Sequence, residues 1–351
     1  MNSPEPRFLR ACRRQPVDRT PVWFMRQAGR YMPAYRQLRK KYGLLEICRT
    51  PELALQVTLQ PIEAFELDAA IVFADILLPL VPMGFDLSFA KGVGPQIANP
   101  VRAIDDVQRL RSFDPAQELA PTLEAIKLLR SALPASTPLI GFAGGPFTLA
   151  CYMIEGGASR NYERAKSLMY TQPSAWWALM DLVTSMTQAY LLAQIEAGAQ
   201  AVQLFDSWAG ALSPTDYQRF VQPYSQRVLQ AVAETGAPSL HFGTNSATLL
   251  ELMAEAGGDA IGVDWRVELD RAWQTIGYDR AIQGNLDPSV LFGSDDEIQA
   301  QTRRILNQAG GRPGHIFNLG HGILPGTPMT AVSLVVDAVH SYQPVGQAEH
   351  G

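Results

Sequence analysis

Eight short apolar runs, bounded by Gly, Pro, Asn or Asp and mostly preceded by a helical pattern, constrain this chain more than any other feature. They are PVWFMR (21–26), AAIVFAD (69–75), PLIGFAG (138–144), QAVQLFD (200–206), PSLHFG (238–243), GDAIGVD (258–264), RAIQGN (280–285) and GHIFNLG (314–320). The clearest helix between them is expected over 216–235, behind the start signal Ser213-Pro214-Thr215; others are expected over 118–133, 173–196 and 295–308. A strand followed by a helix, eight times over, implies parallel strands joined by right-handed crossovers. Eight such units close into a (β/α)8 barrel. An open doubly wound sheet would usually have fewer strands and a nucleotide fingerprint. No G-x-G-x-x-G follows the first run, and no G-x-x-x-x-G-K-[ST] occurs. The chain therefore reads as one α/β barrel domain over 7–342, with loosely ordered ends at 1–6 and 343–351. Long spans after the first three runs predict enlarged loops at the C-terminal face, forming one side of a deep cleft.

Composition removes several classes of function. The net charge of −5 over 351 residues argues against a broad basic face for nucleic acid. An acidic protein can still bind an anion if its cations are gathered in one cleft. Three scattered cysteines, Cys12, Cys48 and Cys151, suit a reducing compartment and form no CxxC pair. The start, MNSPEPRFLRACRRQ, has no apolar segment of signal-peptide length, and no run approaches the ~20 apolar residues of a membrane span. A cytoplasmic protein that binds neither membrane nor nucleic acid is expected.

Catalytic groups of such barrels come from the C-terminal ends of different strands. The first run delivers Arg26, Gln27 and Arg30 into a Gly-bearing turn, with Arg36 close behind. Guanidinium groups grip carboxylates through two parallel hydrogen bonds, so this cluster asks for an anion. The second run places Asp75 at the mouth, where it is equally suited to cap a helix. The third leads into GGPFTLACYMIEGG; Tyr152 reads as a ligand contact or a core aromatic, and Gly144-Gly145-Pro146-Phe147-Thr148 as an anion cradle or a tight strand-to-helix connection. The fourth ends in Asp206-Ser207, a turn or a contact. The eighth puts His321 between two glycines, where backbone can approach closely. Asp264 and Asp287 read as loop or helix-start holders. Histidine and cysteine are too sparse for a convincing metal set, and no cofactor fingerprint is present. The inventory of arginines, one placed carboxylate and neutral donors suits a polyanion whose centre carries N–H donors.

The segments PVWFMRQAGRYMPAYR, FADIL, GFAGGPFTLACYMIEGG, QLFDSWAG and NLGHGILPGTP resemble the signatures of the uroporphyrinogen decarboxylase family. They stand in the family's order from residue 21 to residue 328, over nearly the whole chain. The resemblance implies a distorted (β/α)8 barrel, a homodimer, no cofactor, and conversion of the four acetate side chains of uroporphyrinogen III to methyls. It also implies that Arg26, Gln27 and Arg30 bind substrate carboxylates and that Asp75 faces the pyrrole N–H groups. Tyr152, Ser207 and His321 match the remaining substrate contacts. On this reading Asp75, Arg26 and Arg30 are the catalytic candidates. The proton donor stays open, because a guanidinium with pKa above ~12 is a poor general acid.

Two rivals stand beside it. A zinc-dependent methyltransferase on a related barrel would place His-x-Cys at a middle strand end. Here the fifth run reads LHFGTN, without that cysteine, so His241 is expected to be packed. A non-catalytic tetrapyrrole carrier would use the same arginines but would have no purpose for Asp75.

Overall fold

The computed structural model describes residues 5–90 and 94–344. The strands are β1 (Ala70–Ile71), β2 (Leu87–Ala90), β3 (Gly94–Ile97), β4 (Leu139–Gly144), β5 (Ala201–Phe205), β6 (Ser239–Phe242), β7 (Ala260–Gly262), β8 (Ala281–Leu286) and β9 (His315–Leu319). Among the described residues seven of them form one parallel sheet in the order β1-β4-β5-β6-β7-β8-β9. The registers run from Ala70 opposite Leu139 to Ile282 opposite His315. Strands β4, β6, β7, β8 and β9 are buried along their whole length, as strands covered by helices on one side and filled from the other must be.

The first apolar run closes the curl. Val22 bridges Phe317 in parallel, Phe317 N–H donates to Pro21 O (2.8 Å), and Asp68 N–H donates to Val22 O (2.9 Å). Residues 21–24 thus lie between β9 and the entry to β1, and all eight runs take part in the barrel. This position is a single bridge, not a full strand. Pro21 has no N–H to give, and the Val22 N–H is taken by the Asp68 carboxylate (2.8 Å) instead of a ladder carbonyl. Asp68 is buried and also accepts from Arg7 Nη1 (2.6 Å) and His340 Nε2 (2.9 Å).

The helix expected over 173–196 is present as Pro173–Glu196. The one expected over 216–235 is two helices, Pro214–Phe220 and Gln222–Ala233, broken at Val221. Pro223 causes the break: its missing N–H and its ring cannot continue a helix through the preceding turn. Ser213 caps the first of the pair through Asp216 N–H, as its start signal predicted. The enlarged loops carry their own structure. Three helices follow the first run, and the antiparallel hairpin β2–β3, unforeseen in the sequence reading, stands in the loop after β1. The first helix of the described residues is Arg7–Cys12. The expectations of loose ends at 1–4 and 345–351 lie outside the described residues; residues 5, 6, 343 and 344 are described as irregular chain.

Candidate active site

At the C-terminal end of the barrel lies a cavity of about 260 Å³. Its walls include Arg26, Gln27, Asp75, Tyr152, Ser207 and His321, from five separate strand ends and their loops. Six of the seven residues singled out in the sequence therefore meet in one place. Arg30 is exposed and is not among the lining residues. Arg36 is spent on the same turn, donating to the carbonyls of Arg30 (2.9 Å) and Tyr31 (2.8 Å). Apart from Thr148 the rest of the wall is apolar, with Phe73, Phe142, Phe205, Phe242 and Trp208 the bulkiest members.

One layer below, residues two positions back along the strands form a polar floor. Trp23 Nε1 donates to Gln283 Oε1 (2.9 Å), and Gln283 Nε2 donates to Gln203 Oε1 (3.0 Å). With strand period 2, Met25 and Phe205 are the next inward residues above Trp23 and Gln203, and both line the cavity.

Asp75 sits four residues past β1. Its Oδ1 accepts the Leu77 N–H (2.9 Å) within the turn 76–79; the next helix begins only at Leu80 behind Pro79, so Asp75 holds a turn and does not cap a helix. Burial pushes its pKa above the ordinary carboxylate range, against the opposing pull of that N–H and of Arg26. A carboxylate short of partners in an apolar cavity is primed for a ligand that brings N–H donors. Each hydrogen bond to a charged group is worth roughly 1.5–3 kcal/mol, and one pKa unit is worth about 1.4 kcal/mol. Each such bond favours the ionised form against that burial.

Arg26 is held in the left-handed region (φ 57°), where a non-Gly residue is strained. Its turn is pinned by Met25 N–H to Asn318 Oδ1 (3.2 Å) and by Ile323 N–H to Met25 O (3.0 Å). A Cβ on Gly322 would come within 2.4 Å of Arg26 Cδ, so the guanidinium stem occupies the space that glycine leaves. Gly320 is equally tight: its Cβ would lie 2.5 Å from the Trp265 nitrogen. The two glycines around His321 are therefore steric requirements.

His321 has its pKa lowered to about 4 by burial first and then by Arg26, so it is neutral at pH 7. Its Nδ1 accepts the Gly322 N–H (2.7 Å), which leaves the proton on Nε2. The side chain thus carries a neutral N–H donor. Tyr152 lies against Trp208 with ring centroids 4.1 Å apart, and burial, followed by Asp75, raises its phenol to about 12. It too is a neutral donor at pH 7.

Gln27 differs from expectation. Its side chain is fully buried, with Oε1 accepting from Phe24 N–H (3.2 Å) and Nε2 donating to Ala69 O (3.3 Å). The amide ties the first turn to the start of β1. Gly144-Gly145-Pro146 is a tight connection: Gly145 N–H donates to Phe205 O (2.8 Å), and a Cβ there would strike Asp206. Asp264 and Asp287 hold loops as expected, accepting from Asn245 N–H and Ser289 N–H. Thr148 and Trp208 are also in the wall; the sequence marked Thr148 only as the end of the 144–148 connection and did not single out Trp208, for which its place directly after Ser207 in FDSW was the available signal.

His241 is fully buried, its Nδ1 3.3 Å from Met253 O, and among the described residues no three His, Cys, Asp or Glu side chains are grouped to hold a metal. All three cysteines are buried and free.

Fold and site together define a (β/α)8-barrel enzyme whose mouth presents one carboxylate, one arginine and neutral donors in an aromatic cleft. The uroporphyrinogen decarboxylase family model matches residues 3–342. The uroporphyrinogen decarboxylase of Sorangium cellulosum is 58% identical over 95% of this chain and 96% of its own, and that of Carboxydothermus hydrogenoformans is 56% identical over 95% of each. The chain belongs to the uroporphyrinogen decarboxylase family. Among solved structures, a methyltransferase from Methanosarcina mazei superposes with TM-score 0.78 at 23% identity, over 95% of this chain and 96% of that one, a likeness of fold alone.

Proposed function

We propose that this carboxy-lyase removes the carboxylates of the four acetate side chains of uroporphyrinogen III, giving coproporphyrinogen III and CO2. The observation that carries this reading is Asp75, a lone carboxylate in an aromatic cavity with Arg26 on the same wall. The four pyrrole N–H groups of the macrocycle converge on its centre, where one carboxylate can accept them. Arg26 and the Nε2–H of His321 are suited to side-chain carboxylates, with Tyr152 and Ser207 as further donors. Arg30, outside the cavity wall, is suited to first capture of the eight-fold anion.

The chemistry follows from charge. A proton added to the ring carbon next to the one bearing the acetate makes the pyrrole a cation. The bond to the carboxylate then breaks, CO2 leaves, and its electron pair neutralises the ring as an exocyclic methylene. A proton adds to that methylene, the ring carbon loses its own, and a methyl remains. One proton is consumed for each CO2 released. Asp75 stabilises the cation as it forms, at a fixed position and without solvent rearrangement. The ring is its own electron sink, so the reading requires no cofactor.

Family resemblance adds a cytoplasmic homodimer; sedimentation equilibrium at twice the chain mass supports the dimer, and a monomer removes it. The test of function is anaerobic incubation of metal-stripped protein with uroporphyrinogen III, separating oxidised products by carboxylate number. Successive seven-, six-, five- and four-carboxylate species are expected. Binding without CO2 release would make the chain a tetrapyrrole carrier.

A further inference from the structure

Behind the cavity wall lies a buried carboxylate to which the reaction above gives no part. Asp206, one residue past β5, has no exposed surface. Its Oδ1 accepts from Thr148 Oγ1 and its Oδ2 from Ser225 Oγ, both at 3.2 Å. Thr148 is itself in the cavity wall, and its Oγ1 accepts the Trp208 N–H at 3.2 Å. On the far side His241 Nε2 lies 4.0 Å from Asp206 Oδ2 and has no hydrogen-bond partner; the buried Tyr217 hydroxyl is also unpartnered. There is no slack: a Cβ on Gly145 would lie 2.8 Å from Asp206 Oδ1.

A hydroxyl has one proton and two lone pairs, and its direction is set by its partners. An ionised carboxylate only accepts. Against it the Thr148 proton must point to Asp206, which leaves a lone pair for the Trp208 N–H. A buried carboxylate is a costly way to fill space, since apolar packing would serve stability as well.

We propose that Asp206 and Thr148 are positioning residues for the decarboxylation: the carboxylate orients the Thr148 hydroxyl, which fixes the Trp208 backbone so that Ser207 and the Trp208 indole meet the substrate in one arrangement. The proposal rests on reading the cavity as the decarboxylase site. The effect is through hydrogen-bond direction and not through charge. Misplacement of about 1 Å at a reacting centre can cost 10²-fold in rate.

The experiment measures kcat and KM for uroporphyrinogen decarboxylation, with near-ultraviolet circular dichroism to confirm folding. Thr148→Val keeps the shape and deletes the hydroxyl; kcat is expected to fall at least ~10-fold with KM within about threefold, the split of an orientation effect. Thr148→Ser restores the hydroxyl, and Asp206→Asn keeps an acceptor for it while Ser225 Oγ accepts from the new amide. Both are expected within about threefold of wild type in kcat. Should Thr148→Val not fold, Thr148→Cys, a weak donor of similar volume, replaces it at the same threshold. Near-wild-type kcat in the hydroxyl-deleted variant overturns the proposal, as does a Thr148→Ser loss as large. An Asp206→Asn loss matching Thr148→Val overturns it in favour of an electrostatic role. A wild type that does not release CO2 defeats the parent reading instead.

Discussion

At the scale of single residues, the site depends on side chains that are missing as much as on those present. Arg26 reaches the cavity in a strained backbone conformation, and its stem lies where any Cβ on Gly322 would be. Gly322→Ala is therefore expected to displace the guanidinium and lower kcat/KM at least ~10-fold, while the melting temperature falls by only a few degrees. Unchanged kcat/KM in that variant would mean Arg26 does not act from this position. The sequence marked His321 by its flanking glycines, and steric contact at Gly320 and Gly322 supplies the reason. Asp75, Tyr152, Ser207 and Arg26 were legible for a related reason: each follows an apolar run, and a closed barrel brings run ends together. Position along a strand end does not reveal direction, however. Gln27 turned into the wall to satisfy Phe24 N–H and Ala69 O, and Arg30 turned outward. Asp206 and Ser207 are neighbours with opposite fates, one buried behind the wall and the other facing the cavity.

At the scale of elements, the weakest member of the barrel is its first. Residues 21–24 contribute one bridge, and Asp68 substitutes for the missing ladder by taking the Val22 N–H while bonded to Arg7 and His340. Burial pushes the Asp68 pKa up, but hydrogen bonds from His340, Arg7 and Val22 bring it below the ordinary range. Removing one member of such a buried cluster strands the others, at a cost of about 3–5 kcal/mol. Asp68→Ala is expected to lose that much in urea unfolding, and a loss below about 1 kcal/mol would show that the run holds its place by packing alone. The eight runs were legible because strands of an enclosed barrel are almost wholly apolar and bounded by turn residues. The broken helix at Val221 was not resolved, although Pro223 was in view, because the apolar periodicity carries on across the break. The β2–β3 hairpin escaped because its strands are only four residues each and mostly half-exposed, so the alternation that turns Leu87 and Phe89 to the core is too short to stand out.

At the scale of the whole molecule, two histidines make stability depend on pH. His315 and His321 both have pKa values lowered to about 4, chiefly by burial. Below the unfolded value of about 6.5 the unfolded chain binds protons at these sites that the folded chain refuses until pH 4. Stability therefore falls as pH drops from about 6.5 towards 4, and the lowered pKa values of Asp68 and of Asp18 (about 2, from the Arg7 hydrogen bond first) extend the loss to lower pH. Asp75, shifted upward, acts in the opposite sense. A lower melting temperature at pH 5 than at pH 7 is expected, and an equal or higher one would mean that the histidines do not stay neutral. The barrel as a whole gathers five strand ends around one carboxylate, and that convergence is the basis of the functional reading. The most direct measurement is single-turnover decarboxylation of uroporphyrinogen III by Asp75→Asn, which keeps the shape and removes the charge. The account predicts a rate lower by at least ~10²–10³, the scale of a preorganised electrostatic group. A rate close to wild type would contradict it.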